Sequence, residues 1–247
     1  MPPIRGFLEN TLIDWEGRLA AEIFLPGCPF RCGYCHARHL VEPQPGDESI
    51  PLEAVLDNVR AQNGWLDGIV ISGGEPTLHD DLPELIRAFR DEGLAIKLDT
   101  NGSNPEALAR LLRHSQLDCV AMDVKAPLDH RYSEVARVPV DLDAIRRSID
   151  LLMHSDIEVE FRTTVCPGLV EEDEILAIAR AIQGAHNYFL QKFRPVNCLD
   201  RGMEQLKSPN QDQMRAYCRI AAPYVERCVV RGDSASELVG TGAGIAG

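Results

Sequence analysis

The feature that most constrains this chain is a repeated switch between two hydrophobic periods. Apolar, β-branched runs at 21–25, 68–72, 95–99, 119–123, 157–165 and 188–193 read as strands. Between them, apolar residues recur at helical spacing. Leu82, Leu85, Ile86 and Phe89 form one face, and Leu108, Leu111 and Leu112 form a second behind an Asn104-Pro105 helix start. Leu142, Ile145, Ile149 and Leu152 make a third face, and Ile175, Ile178, Ala179 and Ile182 a fourth. Parallel strands need a crossover between them, so this alternation selects a parallel sheet with helices outside. Six such units predict an α/β fold, a partial (β/α)6 barrel shorter than the closed eight-unit form. The 247 residues, 45% hydrophobic, suffice for the core of one such domain. Residues 1–20 read as an N-terminal extension with a hairpin, 21–235 as the barrel, 210–227 as a further helix, and 236–247 as a disordered tail.

The formal net charge is −13, which argues against a general nucleic-acid or membrane-surface partner. The opening residues lack the apolar segment of a signal peptide. No apolar run approaches the ~18 residues that span a bilayer. A soluble, cytoplasmic protein is expected.

Eight cysteines are present, and only Cys28, Cys32 and Cys35 cluster. Their run, Gly27-Cys28-Pro29-Phe30-Arg31-Cys32-Gly33-Tyr34-Cys35-His36, follows directly on the first barrel strand. Loops after barrel strands build the active face. In a reducing compartment clustered thiols point to metal or catalysis before disulfides. A structural zinc site wants four ligands; His36 or His39 could add one, but paired CxxC knuckles are missing. A ferredoxin module needs a fourth nearby cysteine, and none follows until Cys119. Three thiolates can hold one corner of an iron–sulfur cubane and leave one iron open.

CxxxCxxC after the first strand resembles the signature of the radical S-adenosylmethionine (SAM) superfamily. The resemblance extends past the cysteines. Tyr34 fills the aromatic position before the third cysteine, and Ser72-Gly73-Gly74-Glu75-Pro76 is similar to the segment that meets the SAM amino group. Asp99-Thr100-Asn101-Gly102 and Met122-Asp123-Val124-Lys125 resemble elements of glycyl-radical-enzyme activases. Together with Gln191-Lys192-Phe193-Arg194-Pro195, they resemble most closely the activating proteins of anaerobic (class III) ribonucleotide reductase. One departure is Ala37, where activases often carry Asn after the Cys-His pair.

The resemblance implies a radical SAM partial barrel with a [4Fe–4S] cluster on Cys28, Cys32 and Cys35. It implies SAM contacts from Tyr34, Gly73, Gly74, Glu75, Asp99, Asn101, Asp123, Lys125 and Arg162. One electron would split SAM into methionine and a 5′-deoxyadenosyl radical, which would take a hydrogen from a glycine of a partner glycyl radical enzyme. A flavodoxin or ferredoxin would supply the electron. Rivals are an activase of the pyruvate formate-lyase type, a small-molecule enzyme such as 7-carboxy-7-deazaguanine synthase, and a non-enzymatic iron–sulfur protein.

Side-chain parity gives an independent argument. With Ile96 and Leu98 towards the helices, Lys97 and Asp99 point into the barrel; Asp123, Glu160 and Arg162 do the same on the next two strands. A structural barrel fills its interior with branched apolar side chains, so buried charges must pair or hold a ligand. Self-pairing suits Glu160 and Arg162 as well as ligand binding does. Gly73 and Gly74 are expected to admit the ligand close to the backbone. Cys119, Cys218 and Cys228 read as core residues, while Cys166 and Cys198 lie near the active face.

Overall fold

The computed structural model describes residues 1–42, 46–62, 64–114 and 116–231. Eight strands form one sheet in sequence order: β1 (Gly6–Thr11), β2 (Ala20–Leu25), β3 (Gly68–Gly73), β4 (Ala95–Thr100), β5 (Cys119–Asp123), β6 (Glu158–Val165), β7 (Asn187–Lys192) and β8 (Arg227–Arg231). β1 runs antiparallel to β2, and every later neighbour pair is parallel. The helices are α1 (Arg38–Val41), α2 (Leu52–Ala61), α3 (Leu82–Asp91), α4 (Pro105–Arg113), α5 (His130–Ala136), α6 (Leu142–Met153), α7 (Glu172–Ala181) and α8 (Gln211–Ala221).

The six expected strands are present, with ends shifted by at most one residue. Two more were not expected as sheet members. β8 is a five-residue strand with Arg at both ends, so its apolar signal is short. β1 pairs with β2 across the turn 12–19, so the N-terminal segment is an edge of the sheet. The tail at 236–247 and the barrel limit at 235 lie outside the described residues.

Local chemistry sets the helix ends. Asn104 caps α4, its side chain accepting from Ala107 N at 3.2 Å with Pro105 next in line. Asn210 and Gln213 bond reciprocally at the start of α8. Glu174 reaches back to the Glu171 amide at the start of α7.

Two hydrophobic cores result. The larger lies between sheet and helices and takes Ile23, Ile69, Leu98, Met122 and Phe161 from the outer face. The smaller fills the barrel floor with Trp15, Ala20, Val70 and Cys119. Trp15, fully buried, comes from the turn 12–19. A Cβ on Gly68 would meet its ring at 2.7 Å, so that residue must be small. The turn is stitched across the barrel. Trp15 Nε1 donates to Glu158 Oε2 at 3.4 Å, and Lys97 Nζ donates to Asp14 O at 2.7 Å. Arg227 on β8 forks onto both Glu16 oxygens at 2.8 Å. Among the described residues no helix is long and apolar enough to cross a membrane.

Candidate cluster and cofactor site

A cavity of about 840 Å³ occupies the barrel above this floor. Of the twelve residues expected to hold the cluster or contact SAM, eleven line it: Cys28, Cys32, Tyr34, Cys35, Gly73, Gly74, Asp99, Asn101, Asp123, Lys125 and Arg162. Glu75 does not.

The loop after β2 is held from several sides. Gly27 N donates to Leu40 O at 2.6 Å, and Arg31 N donates to Ala136 O at 2.8 Å. The Arg31 guanidinium donates to Cys28 O at 2.6 Å and to Glu42 Oε1 at 3.1 Å. The segment after β7 lies against the same loop, with Leu199 N on Cys35 O at 2.8 Å and Asp200 N on Gly33 O at 2.9 Å. His36 Nε2 meets Arg194 O at 2.8 Å.

All three cysteines are free thiols. Amide hydrogens point at two of the sulfurs: Phe30 N at 3.4 Å from Cys28 Sγ and Ala37 N at 3.4 Å from Cys35 Sγ. Asn101 Nδ2 adds a contact to Cys28 Sγ at 3.7 Å. Such donors suit sulfur that carries negative charge. Burial pushes the Cys28 thiol up to about 11 and raises Cys32 as well. Without metal these two thiols are neutral at pH 7, so iron must displace their protons.

The Gly73-Gly74 pair is explained by main-chain packing rather than by ligand access alone. Gly73 has φ +128°, and a Cβ there would stand 2.2 Å from Leu25 O. A Cβ on Gly74 would stand 2.0 Å from Gly27 O. The end of β3 thus presses on the root of the cysteine loop, and Gly74 N and Glu75 N donate to Leu25 O and Gly27 O at 2.8 and 2.7 Å.

Glu75 is fully buried and its carboxylate is committed within the protein. It accepts from Thr77 N at 3.1 Å, Thr100 Oγ1 at 2.8 Å and Asn101 N at 2.6 Å, as well as from Thr77 Oγ1. Burial raises its pKa, and these donors oppose the rise. Glu75 fixes the loop after β4 against the turn after β3. The carboxylate therefore braces these two turns from within the protein.

The carboxylates of β4 and β5 share one guanidinium. Arg162 Nη1 donates to Asp99 Oδ2 at 2.9 Å, and Nε donates to Asp123 Oδ1 at 2.8 Å. Lys125 Nζ closes on Asp123 Oδ2 at 2.8 Å. Burial pushes the Asp123 carboxyl up, but Arg162 and Lys125 outweigh it and hold the group below the usual carboxylate range. Lower in the barrel, Glu160 takes Lys97 and Arg231, each at 2.7 Å. The interior charges therefore pair with one another, as parity allowed for Glu160 and Arg162. Two buried polar atoms of the cavity lining stay without a partner among the described residues: Asp99 Oδ1 and Tyr34 Oη. An unpaired buried acceptor and donor are costly, and they fit a site shaped for a polar ligand.

On β2 parity would also have found Glu22, which shares the inner face with Ala20. Burial, then the Asp99 and Asp14 carboxylates, push Glu22 up to about 9. Arg231, which lines the cavity, was missed because β8 was missed. Cys119, Glu158 and Glu160 bring ligand atoms within 4.8 Å of one another. Lys97, Arg231 and Trp15 already occupy those carboxylates, so the group has a structural reading. Cys198 sits in the segment against the cysteine loop, buried, with Sγ 3.7 Å from Arg194 O. Cys218 and Cys228 touch at 3.1 Å between α8 and β8, away from the cavity.

A cysteine triplet on the loop after the first parallel strand, above a barrel with a polar interior, defines a class of protein. The family described as the radical SAM superfamily matches residues 23–181. The chain belongs to this superfamily, and it is a radical SAM enzyme that uses a [4Fe–4S] cluster and SAM. A Methanocaldococcus jannaschii protein named as a glycyl-radical enzyme activating enzyme is 32% identical over 92% of this chain and 95% of its own length. A Campylobacter jejuni GTP 3′,8-cyclase is 27% identical over 61% of this chain and 48% of its own. Solved structures share the fold. TYW1 with a lysine-pyruvate adduct superposes with a TM-score of 0.61 at 18% identity, covering 85% of this chain and 75% of that one. A domain of the pyruvate-formate lyase-activating enzyme from Bacteroides vulgatus gives 0.53 at 18% identity, over 67% of this chain and 99% of that one.

Proposed function

We propose that this enzyme installs the glycyl radical of a partner enzyme, and that the partner is an anaerobic ribonucleotide reductase. Near full-length similarity to a protein named as a glycyl-radical enzyme activating enzyme carries the reading. In it, Cys28, Cys32 and Cys35 hold three irons of the cluster, and the amides on Cys28 and Cys35 stabilise the ligating sulfurs. The bound cluster and SAM together supply a 5′-deoxyadenosyl radical.

The chain's own residues orient and enclose. Tyr34 lines one wall, and Gly73 and Gly74 set the height of the loop root. Asp99 offers its free Oδ1 to the ligand, while Arg162 fixes the other oxygen. Asn101 bridges the Cys28 sulfur and its own turn, through Nδ2 and through Oδ1 to Ser103 N at 2.9 Å. Asp123 and Lys125 form one hydrogen-bonded unit that lines the wall below the cysteine loop. Glu75 holds the Thr100-Asn101 turn in place from behind.

Mixing the reduced protein, SAM and an anaerobic ribonucleotide reductase should give the electron paramagnetic resonance doublet of a glycyl radical, and the reductase should gain activity. A doublet only with pyruvate formate-lyase would move the assignment to a sister activase. The partial similarity to a GTP 3′,8-cyclase favours a second reading, a small-molecule substrate. Turnover of GTP or carboxytetrahydropterin, with no protein radical, would replace the activase reading.

A further inference from the structure

The cluster proposed on Cys28, Cys32 and Cys35 must receive an electron from outside the protein, and the charge on the surface nearest it is unlike that of the rest of the chain. Two segments meet there: 26–42, which carries the cysteines and α1, and 192–208, which caps them. Together they hold six Lys and Arg against three Asp and Glu, in a chain with 25 against 38. All three acids are engaged at home. Glu42 takes Arg31, Asp200 takes Arg137, and Glu204 accepts from Cys198 N. Five of the bases, Arg38, Lys192, Arg194, Arg201 and Lys207, are exposed, and none has an ion-pair partner among the described residues. Backbone bonds from Leu199 and Asp200 to Cys35 and Gly33 hold the two segments together, so these cations lie on chain packed around the cysteine loop, with Lys192 and Arg194 at the cavity lining.

Unpaired cations cost little in water, yet a local field of one sign, in a chain of the opposite net sign, steers an acidic macromolecule to one place. We propose that this face is the docking surface for a small acidic one-electron carrier protein. The proposal rests on the cluster assignment above. Bound there, the carrier sits against the loop that holds the cluster, and the acidic remainder of the surface repels it. With a flavodoxin, one electron leaves the anionic flavin hydroquinone, which becomes the neutral semiquinone. An oxidised [4Fe–4S]2+ cluster held by Cys28, Cys32 and Cys35 would take that electron and become [4Fe–4S]+, and no proton would need to move.

The test uses Arg38→Glu/Arg201→Glu/Lys207→Glu in the cluster-loaded protein, with purified flavodoxin as the probe. Flavin fluorescence titration gives the affinity at low and high salt, and stopped-flow absorbance gives the rate of cluster reduction. The triple variant should bind flavodoxin about tenfold or more weakly at low salt and lose most of the salt dependence. Reduction by photoreduced deazaflavin, a small neutral donor, should match the unchanged protein, as should iron content. The glutamine version of the triple should fall between the two. Unchanged flavodoxin affinity and salt slope would overturn the proposal, as would weakened binding confined to the ribonucleotide reductase. Failure of the unchanged protein to assemble any cluster would instead overturn the assignment beneath it.

Discussion

The two ends of the barrel are built from the same strands to opposite specifications. At the floor, inward positions carry Ala20, Val70 and Cys119, and Trp15 packs among them from the turn 12–19. Higher on the same strands, inward positions carry Glu22, Ser72, Asp99, Asp123 and Arg162. The floor buries apolar surface and needs no ligand. The mouth buries charge, satisfies most of it internally, and leaves Asp99 Oδ1 and Tyr34 Oη open. Between them Lys97 and Glu160 form a fully buried ion pair, also tied to the floor turn through Asp14 O. A barrel of this kind is thus stabilised from below and reserves its upper layer, at some cost, for chemistry.

The sharpest break in this comparison is all-or-none. Alanine at Cys28, Cys32 or Cys35 should each abolish the [4Fe–4S] cluster and SAM cleavage, with the fold intact. Iron counting after anaerobic reconstitution measures it, and four irons in any single variant would remove that residue from the ligand set. Cys198 belongs to the segment bonded to the cysteine loop, and Cys198→Ala should leave cluster content unchanged.

Trp15→Ala attacks the floor alone. It should cost about 3–5 kcal/mol of stability, read as a lower denaturation midpoint, because a large buried ring is removed from a closed core. SAM affinity of the folded fraction should stay near that of the unchanged protein. A loss of affinity without loss of stability would show that the floor shapes the site.

Gly74→Ala acts where the end of β3 meets the root of the cysteine loop. Its Cβ would strike Gly27 O, so the cysteine loop must shift, at about 2–3 kcal/mol. Cluster content and SAM affinity should fall together. A drop in SAM affinity alone, at full iron content, would mean that the glycines serve the ligand rather than the loop.

Asp99→Ala should weaken SAM binding about tenfold, or ~1.4 kcal/mol, while iron content holds. Equilibrium titration of the reconstituted variant decides it. At Glu22 the expected effect depends on pH. Its folded pKa of about 9 lies above the ordinary 4.5, so the neutral acid is favoured in the folded state. Its contribution to stability is full below pH 4.5 and is lost as pH rises through 9. Glu22→Gln should therefore gain stability relative to the unchanged protein across that range. Parallel pH profiles would show that Glu22 is already ionised.

Much of this was legible in the sequence because it is local or periodic. The period-2 strands, the helix faces and the Asn104-Pro105 cap follow from side-chain direction and chain geometry alone. The inward direction of Lys97, Asp99, Asp123, Glu160 and Arg162 came from parity. β8 was not legible, since five residues with two arginines carry too short an alternation. Nor was the role of β1, because pairing of an edge strand depends on a neighbour that local sequence does not name.

The sequence by itself determined the cysteine loop, its place after the first parallel strand and the polarity of the upper barrel, because spacing and alternation are properties of the chain. Only the tertiary structure decided what those residues touch. It showed the Glu75 carboxylate bracing the loop after β4, and the glycine pair lying where one backbone presses on another. It also brought Arg162 between two carboxylates from other strands and Trp15 under the barrel. Such contacts join residues far apart in the chain, and their energies depend on burial and distance, which exist only once the sheet has closed around them.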